Sequence, residues 1–286
     1  MSTGMISPAF IASFDAEVKA AYQGMSKLAG TVRQKNGVVG SSHRFTIISK
    51  GMAALHTPHA DVTPMGINYS TATATLADFA APEYSDIFQQ SKINFDEKRE
   101  LVKCVAGALG RRFDQANIDA IFAGAPAANT LALNLGASDA FNMAKLRGLG
   151  QIMDANGVPS SDRHIAWTAA AKAQLLGSTA ATSSDFNSVQ ALVRGDLNAF
   201  YGFNFHLIED RNEGGIPLDT ATSANRQILA WHKDAVGCAV SMNQSTEINY
   251  VPEKLSWLVT GKISLGCVAI DTDGIAIAQV LESVVI

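Results

Sequence analysis

Apolar residues recur most regularly in one stretch near the middle of the chain. Leu101, Val102, Val105, Leu109 and Phe113, followed by Ile118, Ile121 and Phe122, stand three or four residues apart. That spacing lines one face of a helix, and it predicts a helix from Asn94 to Gly124. Asn94 is the candidate N-cap, with Glu97 three residues on in capping-box position. Asp96, Glu97 and Glu100 put negative charge on the first turns, where the helix dipole favours it. Gly124, followed by Pro126, supplies a stop. About 30 residues at 1.5 Å rise make a rod of roughly 45 Å, long for a chain of 286 residues. Gly107 and Gly110 are places for a kink, and Arg99, Lys103, Arg111, Arg112 and Asp114 lie mostly off the apolar face.

Before this helix the pattern is sparse. Pro8 and the small residues around it read as an extended tail, and Ser13 caps a short helix through Phe14, Val18, Ala21, Tyr22 and Met25. Arg33, Lys35 and Asn36-Gly37 mark a basic turn. Arg44 to Ser49 alternates as a strand, and Thr-rich Tyr69 to Leu76 is its return. His56, Pro58, His59, Asp61, Pro64 and Gly66 punctuate the stretch between them. Such a hairpin has too few large apolar residues to bury itself, so it is expected to lie on a neighbouring molecule. Residues 77–93 lead into the long helix as strand or short helix.

After a loop at 125–136, strands alternate with helices, the pattern of an α/β lobe. Ser138 caps a helix running through Phe141, Met143, Leu146, Leu149, Ile152 and Met153 to Asn156-Gly157. Arg163 to Trp167 is a buried strand, and Thr168 caps a helix that Gly177 stops. Residues 178–199 are polar helix and loop, Phe200 to Glu209 alternates as a strand, and Asp210 to Asn225 reads as an exposed loop. Ile228 to Trp231 is strand-like and Lys233 to Val240 a short helix. Glu247 to Val251, parts of Leu255 to Ile270, and Ile275 to Leu281 return to β, with Asp273-Gly274 a hairpin signal between the last two.

Composition changes this picture little. A net charge of -4 argues against a nucleic-acid binder with a strong basic face. Cys104, Cys238 and Cys267 are far apart with no CxxC pair, so neither a disulfide framework nor a zinc site is indicated, and buried thiols in a reducing compartment explain them. No signal peptide and no apolar run of membrane-spanning length is visible.

Candidate chemistry is thin. His56, His59 and Asp61 are metal-ligand types in close spacing, but Pro58 breaks the register and an exposed loop accounts for them. His164, His206 and His232 sit inside apolar runs and read as core or interface histidines rather than bases. There is no GxSxG elbow, GxxxxGK[ST] phosphate loop or GxGxxG turn, and Asp271 and Asp273 are too few for a calcium loop. Lys50 on the hairpin could form an isopeptide bond with a neighbour's Asn or Asp, though a solvated lysine is the simpler reading. No enzyme motif and no cofactor site emerges.

Four ordered stretches resemble the major capsid (coat) proteins of tailed bacteriophages. They are Ser13-Phe14-Asp15-Ala16-Glu17 with Tyr22 and Leu28 to Arg33, then Val39 to Ser42 with His59-Ala60-Asp61-Val62 and Pro64-Met65. Next come Asp96-Glu97-Lys98-Arg99 with Ala106 to Arg112 and Asp114. Last are Tyr201-Gly202-Phe203, His232 to Gly237 and Glu247 to Leu255. The resemblance implies an α+β fold of the Hong Kong 97 type. In those terms residues 1–36 are an N-terminal arm, 37–76 an extended loop, 77–136 a peripheral domain with a spine helix at 94–124, and 137–245 an axial domain. Residues 246–286 would be strands returning to the peripheral domain. The implied function is self-assembly into homo-pentamers and homo-hexamers of an icosahedral shell around double-stranded DNA, made in the bacterial cytoplasm and ending as the virion capsid. A separate scaffolding protein and a portal at one vertex would be partners. Arg33, Lys35, Arg99, Lys103, Arg111 and Arg112 are candidate inner-surface contacts to DNA, bound without regard to sequence. The alternatives are an encapsulin-like cellular shell protein and, less in keeping with the residues, a soluble metal-dependent hydrolase built on His56, His59 and Asp61.

Overall fold

A computed structural model describes residues 25–59, 61–62, 64–92, 96–135, 138–177, 199–219 and 225–283. The helix expected after Ser13, the Asn94 cap and most of the polar stretch 178–199 lie outside these residues. In chain order the elements are β1 (Arg33–Asn36), β2 (Ser42–Ile48), β3 (Tyr69–Thr75), β4 (Ala77–Asp86), α1 (Ile87–Gln90), α2 (Glu97–Gly124) and β5 (Thr130–Leu131). They continue with α3 (Met143–Ala155), β6 (Arg163–Trp167), α4 (Ala169–Gly177), β7 (Ala199–Phe200), β8 (Phe203–Leu207) and β9 (Asn225–His232). The chain closes with β10 (Val236–Val251), β11 (Ser256–Ala269) and β12 (Ile275–Leu281).

The long helix is a single 28-residue rod, about 42 Å at 1.5 Å per residue. Asp96 caps it, accepting from the Arg99 amide at 3.3 Å. There is no break at the glycines. Gly110 instead admits the backbone of Ser26, since a Cβ there would stand 3.1 Å from the Ser26 amide nitrogen. The helix ends hard against β11, where a Cβ on Gly124 would overlap the Ala269 side chain at 2.0 Å.

Three sheets surround it. A four-stranded sheet in the order β1-β10-β11-β4 lies under α2, which buries Val105, Leu109 and Phe113 against Val240, Val259, Ile263 and Leu265. Each such side chain contributes roughly 1.5–3 kcal/mol when fully buried. A six-stranded sheet, β5-β12-β9-β6-β8-β7, is covered by α3 and α4 around Phe141, Leu146, Leu149, Met153, Trp167 and Phe203. The third sheet is the hairpin of β2 and β3. Ile118 and Ile121 of α2 share one apolar cluster with Leu229 and Trp231 of β9 and Ile275 and Ile277 of β12, so the helix joins both larger sheets.

Several expectations are corrected. The helix after residue 137 starts at Met143, because Asn142 caps it, accepting from the Lys145 amide at 2.9 Å. Ser138 accepts from the Ala140 amide, in the preceding turn. The helix expected over Lys233 to Val240 is a single 3-10 turn, Lys233–Ala235, followed by the start of β10. That start is buried on both faces from Val236 to Val240, so no two-residue alternation marks it as strand. Asp273-Gly274 does not close a hairpin. β11 runs in the four-stranded sheet and β12 in the six-stranded one, and the turn between them carries the chain across. Gly274 is small because Ala235 approaches it; a Cβ there would stand 2.7 Å from the Ala235 Cβ. The last strand therefore does not return beside the spine helix's sheet with the rest of residues 246–286 but lies between β5 and β9.

The loop expected to be exposed after Asp210 is a strap against the spine. Gly215 donates to Gln115 Oε1 at 2.8 Å and its carbonyl accepts from Gln115 Nε2 at 3.2 Å, and Ile216 is buried. Gly214 and Gly215 have φ of 132° and 73°, conformations that glycine adopts without strain.

Candidate assembly surface

The hairpin projects from the four-stranded sheet. Its strands pair from Ser42↔Thr75 to Ile48↔Tyr69. Only its root is buried: Phe45 and Ala74 pack with Val38, Ala239 and Ile270. Two glycines make that seat. A Cβ on Gly237 would meet the Phe45 ring at 2.7 Å, and one on Gly266 would meet the Thr75 carbonyl oxygen at 2.1 Å. Past Ser49 the chain makes an irregular tip with large apolar side chains in solvent. Leu55 is 99% exposed and Met52 85%, with Val62, Met65 and Tyr69 also outside. An apolar projection of this size, left uncovered by the described residues, marks a contact surface.

Lys50 is the tip's tether to its own subunit. Its Nζ pairs with Asp273 Oδ2 at 3.0 Å and donates to the Asn156 carbonyl at 2.9 Å. Its side chain is still 76% exposed, so it is a solvated lysine that makes a surface ion pair within its own chain. His56, His59 and Asp61 are exposed on the tip. Among the described residues no three His, Cys, Asp or Glu side chains come close enough to hold a metal.

The chain entering β1 is fixed at one buried carboxylate. Asp114, expected off the apolar face, is fully buried on α2. It accepts from Ser26 Oγ at 2.8 Å, the Lys27 amide at 2.9 Å and the Leu28 amide at 3.1 Å. Arg211, whose side chain is 2% exposed, reaches it at 3.3 Å and holds Glu209 at 2.9 Å. Lys27 Nζ also pairs with Glu209 at 2.8 Å. Burial works to raise the Glu209 carboxyl, but the Lys27 hydrogen bond and nearby Arg211 outweigh it and hold the group below its usual value. The sequence carried no signal that singles out this node: Asp114 is one of several charged residues on the helix, and its arginine stands 97 residues later.

His164, which is buried, and His206, which is half-buried, form a pair on neighbouring strands of the six-stranded sheet. His164 Nδ1 and His206 Nε2 are 3.0 Å apart, beside the Trp231 ring. Burial, then His206, pushes His164 down to about 4, and burial lowers His206 as well. His232 is separate, its Nδ1 accepting from the Asp234 amide at 3.2 Å.

The six basic candidates lie on β1 and α2. Arg33 and Lys35 lie exposed on the edge strand β1, and Arg99 is exposed on the first turn of α2. None of these three makes an ion pair with another described residue. Lys103 pairs with Glu100 at 2.6 Å and Arg111 with Glu213 at 2.8 Å. Arg112 lies over the Phe79 ring at 4.4 Å. At 100° per residue Arg112 points about 140° away from Arg99.

A hairpin seated at its root and carrying exposed apolar side chains at its tip is the kind of surface on which a structural protein associates with other subunits. Comparison with known proteins gives the same class and a family. Residues 6–282 match the family model of the phage capsid protein, and the chain belongs to that family. The capsid structure of the cyanophage P-SCSP1u is similar over 96% of this chain and 94% of its own, at 17% identity and a TM-score of 0.77. The head structure of Helicobacter pylori bacteriophage KHP40 is similar over 99% of both chains, at 12% identity and a TM-score of 0.76. A chain from Mycobacterium phage Che8 is similar over 95% and 98%, at 14% identity and a TM-score of 0.73. No curated protein matches the sequence. The fold is α+β of the Hong Kong 97 type, and the chain is a bacteriophage major capsid protein, a structural protein of the virion capsid that associates with itself into a shell. Neither the cellular compartment shell nor the metal-dependent hydrolase is favoured.

Proposed function

We propose that the chain assembles into homo-pentamers and homo-hexamers that tile an icosahedral shell around double-stranded DNA, in the cytoplasm of a bacterial host. The observation that carries this reading is the projecting tip, whose Met52, Leu55 and Val62 are exposed among the described residues and gain cover on a neighbouring subunit. In this reading residues 1–36 are the arm, 37–76 the loop that laps the neighbour, 77–136 the peripheral lobe and 137–245 the axial lobe around the local symmetry axis. β10 and β11 serve the peripheral lobe and β12 the axial one. Closed rings follow from repeating one heterologous contact, and many weak contacts per subunit add up to a stable shell. A scaffolding protein supplied separately and a portal at one vertex complete the set of partners.

The inner surface would need only sequence-independent neutralisation of phosphates. Arg33, Lys35 and Arg99 are exposed and carry this role first; Lys103, Arg111 and Arg112 come second, because each is already engaged within the subunit. The test of the assembly reading is electron microscopy of two purified proteins: the full chain, and one in which residues 51–66 are replaced by a two-residue turn. Closed shells from the first and folded, unassembled subunits from the second are the expected results. Normal shells from the shortened loop would overturn the assignment.

A further inference from the structure

The three cysteines are not as scattered as their spacing suggests. Cys238 on β10 and Cys267 on β11 are directly opposite in the antiparallel register, and their sulfurs are 2.9 Å apart. Opposed residues in such a ladder have Cα atoms about 4.5–5.5 Å apart, inside the roughly 4.4–6.8 Å span that a disulfide bridges without moving the backbone. Both sulfurs therefore point to the same side of the sheet at near-bonding distance. Cys238 is fully buried, held between β1 and β11, while Cys267, packed at the margin of the apolar cluster, is partly buried and the more accessible of the two. Cys104, by contrast, is on α2.

We propose that Cys238 and Cys267 are a thiol pair that closes to a disulfide when the protein moves from a reducing cell to oxidising surroundings, riveting β10 to β11. The proposal rests on the capsid reading only for that change of surroundings, since disulfides persist outside the cell and on virions but not in the reducing cytosol. The oxidant is a low-molecular-weight disulfide of the glutathione type. Cys267 gives up its proton and its sulfur attacks one sulfur of the oxidant, forming a mixed disulfide and releasing one small thiol. Cys238 then gives up its proton, attacks the Cys267 sulfur and expels the second small thiol. Two electrons and two protons pass from the protein to the oxidant, and one sulfur–sulfur bond replaces another. The Cys267 thiol is held in its protonated form by its contact with Cys238 and by burial, so closure is slow near neutral pH and faster in mild base. A newly made subunit thus stays reduced in the cell. The bond would close a 29-residue separation along the chain.

The experiment treats the purified full chain with oxidised glutathione, blocks remaining thiols with N-ethylmaleimide, digests without reductant and maps peptides by mass spectrometry. The expected product is one cross-linked peptide pair, Cys238 with Cys267, two hydrogens lighter than the thiols, with Cys104 blocked. Its thermal midpoint should rise by roughly 5–10 °C over the reduced protein, a rise lost in Cys267→Ser and kept in Cys104→Ser. Recovery of Cys238 and Cys267 as blocked thiols, as glutathione adducts or in links between subunits would overturn the proposal. The mapping needs neither a variant nor an assembled shell, so failed assembly leaves the outcome readable.

Discussion

Asp114 is the residue on which most else depends. It satisfies three donors from residues 26–28 and faces a guanidinium that has almost no water to fall back on. Removing one partner of a buried pair typically costs about 3–5 kcal/mol, because the other charge stays buried and uncompensated. Asp114→Ala should therefore lower unfolding stability by that order, measured by denaturant titration of the unassembled chain. Arg211→Met should cost less than the reverse truncation, since Asp114 keeps its amide and hydroxyl donors. The histidine pair makes a second prediction. His164 and His206 titrate below the unfolded value of 6.5, so between about pH 6.5 and 4 the unfolded chain binds more protons than the folded one. Stability is then full above the unfolded value and falls as pH drops through that window. Asp162, Lys233, His232 and Asp114 face the pair from neighbouring elements and set its exact range. Replacing both histidines with glutamine should flatten the fall in denaturation midpoint from pH 7 to 4.5. Neither residue role was legible beforehand as more than an apolar-run histidine or a helix-face acid. Burial of a charge depends on a partner 97 residues away, which spacing along the chain does not reveal.

At the scale of elements, the sequence is most readable where period and punctuation agree. The spine helix and both hairpin strands appear within a few residues of where apolar spacing and threonine runs put them. It misleads where a small residue serves packing instead of turning. Asp273-Gly274 reads as a hairpin turn and Gly110 as a place for a kink, yet each glycine is where another backbone or side chain comes close. Gly266 is the sharpest case, and it predicts that Gly266→Ala, by pushing the Thr75 carbonyl away, destabilises the chain by about 1–3 kcal/mol and loosens the hairpin's root. Hydrogen exchange in β2 and β3 would report that loosening directly. At the tip the expectation reverses. Leu55→Asp should change unfolding stability by less than about 0.5 kcal/mol, as exposed substitutions do, while sharply reducing the yield of shells seen by electron microscopy.

For the molecule as a whole, the weakly acidic composition was informative mainly by exclusion, and three of the six basic candidates are engaged within the subunit. Charge reversal at Lys35 and Arg99 should accordingly leave shell formation intact and reduce the DNA retained per particle, in a salt-dependent manner. A different consequence comes from the apolar cluster that α2 shares with both larger sheets. Ile118, Ile121, Trp231 and Ile275 tie the helix to both larger sheets, so moving one against the other opens a cavity, at a cost of several kcal/mol. The subunit then behaves as a stiff tile. In any curved surface made of such tiles, the angle at each seam must be absorbed by the grout, which here is the hairpin tip and the Lys50 tether that lets it swing or hold.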